Sequence, residues 1–241
     1  MSVREPLVSV IMPMRNVAPY VEEAVRSILS QSWRNLELLV VDDGSTDGSA
    51  EIVSAIRDDR IRLFRDQDHQ GIVHALIACL DASRGEFIAR MDADDISHPR
   101  RLEKQVRLLE SRTDIGICGT WMTSFGEGIP NLYAFPVQHE EIRCDMLFNP
   151  SLIHGTVMFR AALASRGDIR WRDNHRHAED YEWLIRLTAI TRATNIPESL
   201  YSYRQHPDQT GSAYGAEQRE MSRCIQRELV TRLVPDASGE E

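Results

Sequence analysis

A chain of 241 residues that is 42% hydrophobic and 27% charged suffices for one large α/β domain, or one domain with an appended half, with a sizeable core. Its 37 acidic against 28 basic residues leave a net charge of −9 at pH 7. That balance argues against a nucleic-acid partner, which needs a cationic face to neutralise phosphates.

In chain order, Val8–Met12 predicts a short strand that stops at Pro13. From Tyr20, apolar residues recur at Val21, Ala24, Val25, Ile28 and Leu29, the spacing of a helix with one buried stripe. Leu36–Val41 is nearly continuous apolar sequence, as for a strand covered on both faces, and it breaks into the acceptor-rich turn Asp42-Asp43-Gly44-Ser45. A short helix over Ser49–Ile56, a strand over Ile61–Phe64 and a helix from about Gly71 to Asp81 follow. Strand Phe87–Met91 runs into Asp92-Ala93-Asp94-Asp95. Ser97 and Pro99 stand where an N-cap and a first-turn proline open a helix, with Leu102, Val106 and Leu109 on one face. Ile115–Gly119 closes this series. Beyond it, Gly126–Tyr133 reads as a loop, His139–Leu147 as helix-like and Thr156–Phe159 as a strand. Glu179–Ala189 reads as a helix whose Trp183, Leu184 and Leu187 share a face. Ala193–Ile196 and Leu200–Tyr203 look like two short strands, and Gln218–Leu233 like an amphipathic helix.

Strands alternating with helices imply a Rossmann-like α/β fold, with a mostly parallel central sheet flanked by helices. Ligands of such sheets bind beyond the carboxyl ends of the strands, and both acidic clusters fall at such ends. A soft boundary near residue 120 separates a donor-binding half, 1–120, from an acceptor-binding half, 121–241. The cysteines (Cys79, Cys118, Cys144, Cys224) form no CxxC pair, so neither a zinc site nor a disulfide framework is expected. The apolar run at the N-terminus is too short for a signal peptide, and no stretch approaches the roughly 20 apolar residues of a membrane span. The chain reads as cytoplasmic, with room for peripheral association at the inner face of a membrane.

Four features carry chemistry. Asp92-Ala93-Asp94 places alternate carboxylates at a strand end, where hard oxygen ligands suit Mg²⁺ or Mn²⁺ and leave positions for substrate phosphates. The bland alternative is a solvated turn in which Asp95 caps the next helix. Asp42 and Asp43 either accept from ribose hydroxyls or a base N–H, or cap the backbone of Gly44–Thr46. Asp180 lies three, four and seven residues before Trp183, Leu184 and Leu187, so it shares their inward face and can serve as a general base. Equally, Glu179 and Asp180 read as an acidic first turn that favours the helix dipole. Arg204 and His206, with His154 upstream, are suited to hold a diphosphate, and histidine is a frequent metal ligand. The arginine-rich span Arg160–Arg192 reads as a solvated face rather than a binding patch, although an anionic acceptor could be drawn to it.

Together these segments resemble the family 2 inverting glycosyltransferases of GT-A fold, from Val8 to about Ser212, and within them bacterial members that build surface polysaccharides. Val8–Asn16, with Pro13 and Arg15, looks like the family's opening strand and nucleotide loop. Val40-Val41-Asp42-Asp43-Gly44-Ser45-Thr46-Asp47 matches its VDDGSTD segment, and Gly85–Asp95, with Arg90, is similar to the segment ending in its DxD metal site. Glu179-Asp180-Tyr181 looks like its ED motif, and His154–Arg160 and Tyr203-Arg204-Gln205-His206 are similar to further segments. The resemblance implies that Asp43 contacts the nucleoside, that Asp94 is the direct metal ligand and that Asp92 contacts ribose or metal. It makes Asp180 the catalytic base and folds Arg204 and His206 over the donor diphosphate, with Pro13, Arg15 and Arg90 also on the donor side and His154, Glu179 and Trp183 toward the acceptor. The activity implied is transfer of a sugar from a nucleotide-diphosphate donor, by family habit a UDP-sugar, to a glycan or lipid-linked acceptor. Met14-Arg15-Asn16 and Leu76-Ile77 depart from the family's usual residues. A nucleotidyltransferase is disfavoured because Pro13–Val17 offers no glycine-rich, lysine-containing phosphate loop, and a dehydrogenase because no GxGxxG follows the first strand. A catalytically silent glycan-binding module would not need Asp94 and Asp180 intact.

Overall fold

The computed structural model describes residues 5–164, 166–207, 209 and 214–233; the first four residues of the N-terminal run and Ser212, where the resemblance ends, lie outside them. The strands are β1 (Val8–Met14), β2 (Leu36–Asp43), β3 (Ile61–Asp66), β4 (Phe87–Arg90), β5 (Ile96–Ser97), β6 (Ile115–Gly126), β7 (Leu132–Tyr133), β8 (Met158–Arg160) and β9 (Arg192–Gln205). The helices are α1 (Val21–Leu29), α2 (Ser49–Ala55), α3 (Ile72–Ala82), α4 (Arg101–Ser111), α5 (His139–Asp145), α6 (Ala161–Ala164), α7 (Glu179–Ile190) and α8 (Gly215–Leu233). One sheet runs β3-β2-β1-β4-β8-β6-β9-β5, with β7 paired to β6. The β3-β2-β1-β4 block and the β6–β9 pair are parallel, whereas β8 and β5 run antiparallel to their neighbours.

The two-residue period of β1 and β2 divides the core. Val8, Val10, Met12, Leu36, Leu38 and Val40 point to the face covered by α1 and α4, while Ile11, Leu39 and Val41 point to the face covered by α3 and α7. A sheet covered on both sides explains the unbroken apolar runs seen in the sequence. Cys79 and Cys118 are buried in this core, where desolvation pushes each thiol up to about 12. No helix of the described residues is long and apolar enough to cross a membrane.

Several boundaries differ from the sequence expectation, each for a local reason. β1 does not stop at Pro13 but runs to Met14, with Pro13 opposite Val41. The Ile11 carbonyl accepts from Met91 N–H, so residue 13 faces the same side, past the point where β4 has ended, and its missing N–H leaves no partner unpaired. Ser97 and Pro99 do not open the following helix: Ser97 pairs with Tyr201 in the sheet, and α4 begins at Arg101. Part of the expected 126–133 loop is β7. The two short strands expected over Ala193–Tyr203 are one strand, β9, in which Pro197 and Glu198 bulge out between the Thr120–Ile196 and Trp121–Ser199 pairs. Residue 120 falls inside β6, whose pairing with β8 and β9 carries the sheet across it.

One buried charge braces the end of the sheet away from the acidic clusters. Glu37 on β2 is 7% exposed and accepts from Ser9 Oγ at 2.6 Å, Arg62 Nη1 at 2.8 Å and Arg84 N–H at 2.8 Å. Burial alone would raise its carboxyl, but these donors outweigh it and hold the group below the usual 4.5. Its stabilisation is therefore complete above that value and is lost as pH falls through the lower folded one. Glu37→Gln is expected to cost about 1–3 kcal/mol near neutral pH. In urea melts the gap from wild type should narrow toward pH 3; a gap that stays constant with pH would show the carboxylate charge to be irrelevant.

Candidate active site

The parallel strands β2, β1 and β4 end side by side, and the polar residues collect there. After β2, Asp42 accepts from Ser45 N–H at 3.1 Å, so it caps the turn. Asn16, at φ 50°, accepts from Thr46 N–H at 2.9 Å and donates its own N–H to Ser45 Oγ at 2.9 Å, locking the β1 loop onto that turn. Asparagine is among the few residues that occupy this backbone region at small cost. Asp43 is 4% exposed and accepts from Gln70 N–H at 2.8 Å and His69 Nδ1 at 2.6 Å. Arg15 Nη1 meets His69 Nε2 at 2.8 Å. Arginine can only donate, so His69 accepts on Nε2 and carries its proton on Nδ1, toward Asp43. The readings of the two carboxylates thus divide: Asp42 holds the turn, and Asp43 anchors the Arg15–His69 chain at the mouth of the cleft. Pro13 is buried in β1 beneath it.

At the end of β4, Arg90 is 3% exposed and forms an ion pair with Asp92. Burial works against its charge, but Asp92, Tyr201 and Asp180 together hold its pKa above the ordinary arginine value. The Tyr201 hydroxyl takes Asp92 N–H and reaches Asp92 Oδ2, both at 3.2 Å. Beneath lies Arg101, fully buried, its guanidinium 5.4 Å from the Tyr201 ring centroid and donating to the carbonyls of Arg90 (3.2 Å) and Gly155 (2.8 Å). Among the described residues Arg101 has no carboxylate in ion-pair contact, and burial pulls its pKa down to about 10.

The end of β9 folds over the same loop. Asp95 does not cap a helix: it is 1% exposed and accepts from Arg204 N–H at 2.6 Å. Burial first, then Asp92 and Asp94, push its carboxyl well above the normal range. His206 Nε2 lies 3.1 Å from Asp94 Oδ2, and burial first, then Asp92, raises Asp94. The Arg204 guanidinium donates to the Asp94 carbonyl at 2.7 Å and to Glu23 at 2.6 Å, between the rings of Tyr20 (4.9 Å) and Phe125 (4.5 Å). Among the described residues, no group of three or more His, Cys, Asp or Glu side chains forms a ready metal cage.

Asp180 stands at the start of α7, half-buried. Its carboxyl is raised chiefly by burial; Tyr181 N–H at 2.8 Å and Arg90 hold it down, and Asp92 pushes it up. Asp92 pairs with the Arg90 guanidinium and Asp180 lies within its electrostatic reach, from a distant segment of the sequence. Asp180 thus faces the groove and also bonds the first turn of its own helix. Burial, then Asp180, pushes Glu179 up to about 7. Asp180 opens onto a groove of about 360 Å³ walled on the far side by α8.

Two residues expected near the acceptor sit elsewhere. Trp183 is 1% exposed, stacks on Trp171 at 4.4 Å and donates to the Ile169 carbonyl at 2.7 Å, so it is core. His154 is 6% exposed, 5.7 Å from each of those indole rings, and burial pushes its pKa well below the usual value, leaving it neutral. The span Arg160–Arg192 is not a free cationic face. Arg160 holds the Ile115 and Leu109 carbonyls, and Arg170, Arg186 and Arg192 pair with Asp81, Glu182 and Glu140.

Sequence reading missed His69, Tyr201, Arg101 and Gly155. Only Arg101 left a trace there: with Gln105 it falls at i, i+4 beside the Leu102–Val106–Leu109 stripe, and both are buried.

The family model for glycosyl transferase family 2 matches residues 9–167. The putative glycosyltransferase EpsE of Bacillus subtilis is 38% identical over 209 residues, covering 84% of this chain and 74% of that protein. Among solved structures, S. aureus TarS 1-349 in complex with UDP-GlcNAc superposes with a TM-score of 0.75 at 23% identity, over 90% of this chain and 65% of that one. The mannosyltransferase PcManGT from Pyrobaculum calidifontis, in complex with GDP-Man and Mn²⁺, does so with a TM-score of 0.70 at 21% identity, over 95% of this chain and 65% of that one. The chain thus spans just under two thirds of these two solved chains.

Proposed function

The chain belongs to glycosyl transferase family 2 and has the GT-A fold, and from that premise we propose that it is an inverting enzyme of bacterial polysaccharide or glycoconjugate synthesis. It moves a sugar from a UDP-sugar to an acceptor hydroxyl. The observation that carries this reading is that Arg90, paired with Asp92 of the DxD loop, also lies within electrostatic reach of Asp180 of the ED motif, which opens onto the adjoining groove. A donor held at the first carboxylate would then present its anomeric carbon to the second.

Asp180 takes the proton of the acceptor hydroxyl as its oxygen attacks the face opposite the diphosphate, so the anomeric centre inverts. The raised Asp180 carboxyl suits it to that work near neutral pH, since a base is most effective with its pKa close to the operating pH. On the donor side, Asp43 with its Arg15–His69 chain faces the nucleoside, and Arg204 and His206 close over the diphosphate. In this arrangement residues 1–120 hold the nucleotide and residues 121–241 supply the base and the closing strand.

Asp94 Oδ2 and His206 Nε2 fit a divalent ion that keeps most of its positions for water and phosphate oxygens, as Mg²⁺ and Mn²⁺ do. When bound there, such an ion neutralises charge on the departing nucleoside diphosphate. The UDP-GlcNAc of TarS favours a UDP-sugar here, and the Mn²⁺ of PcManGT favours a metal.

A melting-temperature screen of UDP-glucose, UDP-GlcNAc, UDP-galactose and GDP-mannose, with and without Mn²⁺, tests the proposal. A UDP-sugar should raise the midpoint only with the metal, because ligand binding to the native state stabilises it. Asp94→Asn should weaken that metal-dependent binding by about tenfold, the loss expected for one charged ligand contact. The reading fails if no nucleotide sugar shifts the midpoint, or if Asp94→Asn binds like wild type.

A further inference from the structure

We propose that the acceptor carries a phosphate, held by Arg219 and Arg223 on α8 across the groove from Asp180; this rests on Asp180 as the base. The groove, about 360 Å³, is walled on one side by Asp180, Tyr181 and Phe148 and on the other by α8. Gln218, Arg219, Ser222, Arg223 and Gln226 recur at helical spacing, so one face of α8 lines it.

That face is fixed in place. Ile225 is 3% exposed in the core, Gln226 donates to the Phe148 carbonyl at 2.8 Å, and His177, in the loop before Asp180, stacks on Tyr214 at 4.3 Å. Arg219 and Arg223 are exposed, and neither has an ion-pair or hydrogen-bond partner among the described residues. The contrast with Arg160, Arg170, Arg186 and Arg192, all committed to carbonyls or carboxylates, is sharp. In a chain of net charge −9, two uncommitted guanidiniums one helical turn apart, on the wall facing the base, form a local seat for an anion. A guanidinium matches a phosphate in bidentate geometry. Phe148, 70% exposed at the lip, offers an apolar surface for the sugar ring to lie on. An acceptor so held has its phosphate at α8 and a hydroxyl at Asp180.

The test reads the two arginines directly. In protein labelled with ¹⁵N-arginine and saturated with UDP and Mg²⁺, the Nε–Hε signals are followed while α-D-glucose 1-phosphate is added. Arg219 and Arg223 should move along one saturable curve, and the R219Q/R223Q double variant should bind at least about tenfold more weakly. R227Q, an exposed arginine of α8 off the groove, should stay within about twofold. A second arm sediments the protein with vesicles of phosphatidylcholine alone or mixed with phosphatidylglycerol. Sedimentation that needs the anionic lipid and both arginines places the phosphate on a lipid carrier; a response to the sugar phosphate alone places it on a soluble glycan. The proposal is overturned if neither probe engages these residues, if methyl α-D-glucopyranoside moves the signals equally, or if R227Q weakens binding as much as the double variant. Asp180→Asn separates the two ideas: transfer surviving that change with phosphate still bound removes the base but keeps the site, and the converse keeps the base alone.

Discussion

Asp180→Asn is expected to lower the turnover rate by about 10²–10⁴-fold, the usual worth of a positioned general base, while the donor still binds. Asparagine keeps the shape and can still cap Tyr181 N–H, but it cannot take a proton. Because burial raises the folded carboxyl, its ionised form is unfavourable in the native state. A group with a raised folded pKa favours folding only below its unfolded pKa and loses that benefit as pH rises through the folded value. The variant should therefore melt at or above the wild-type temperature at pH 8, with the difference shrinking toward acid. Activity in the wild type should rise with pH as the base ionises. Glu179, pushed up to about 7, is the rival for the role. Glu179→Gln removes a negative neighbour, so it should shift the acidic limb of the rate profile to lower pH while keeping the plateau within about tenfold. A flat loss of the plateau in Glu179→Gln, with Asp180→Asn active, would exchange the two assignments.

Gly155→Ala is expected to cost about 10²-fold in kcat/KM and about 1–3 kcal/mol in stability. A Cβ at this position would meet the Tyr201 hydroxyl and come within 2.7 Å of Asp92 Oδ2. Tyr201 is 1% exposed and packed against the Arg101 guanidinium, with no room to retreat, so Asp92 must move. The single methyl then displaces the carboxylate that pairs with Arg90, without touching Asp94 or Asp180. Donor titrations and urea midpoints on the same preparation check it. Wild-type kinetics in this variant would mean that the position of Asp92 does not matter to the reaction.

Much of the first half was legible in the sequence because its central strands β1, β2 and β4 are covered on both faces and the helices pack one face onto them, so periodicity maps directly onto layers. The acidic clusters were legible for the same reason: they interrupt apolar runs at strand ends. In the second half that mapping fails. β9 looked like two strands because Pro197 and Glu198 break the alternation, although they merely bulge from a continuous ladder. The resemblance set Trp183 toward the acceptor, yet the first turn of α7 opens on the groove while the next drives into the core, as its shared face with Leu184 and Leu187 indicated. His69 and Tyr201 were invisible because their roles arise only from partners 26 and 109 positions away.

The pairing of β5 with the far part of β9 also bears on how the molecule comes to be active. Ile96–Ser97 and Tyr201–Ser202 meet across more than a hundred residues of chain, and that junction holds Asp92, Asp94, Asp95, Arg204 and His206 together. Closing so large a loop is entropically late, and pairings of high sequence separation slow the search for the native topology. A nascent or partly refolded chain lacks Arg204 and His206 beside Asp94 and Asp95 until β9 is laid down. On the proposed function, catalytic competence is thus set by the late-formed β5–β9 junction and not by the first half of the sheet.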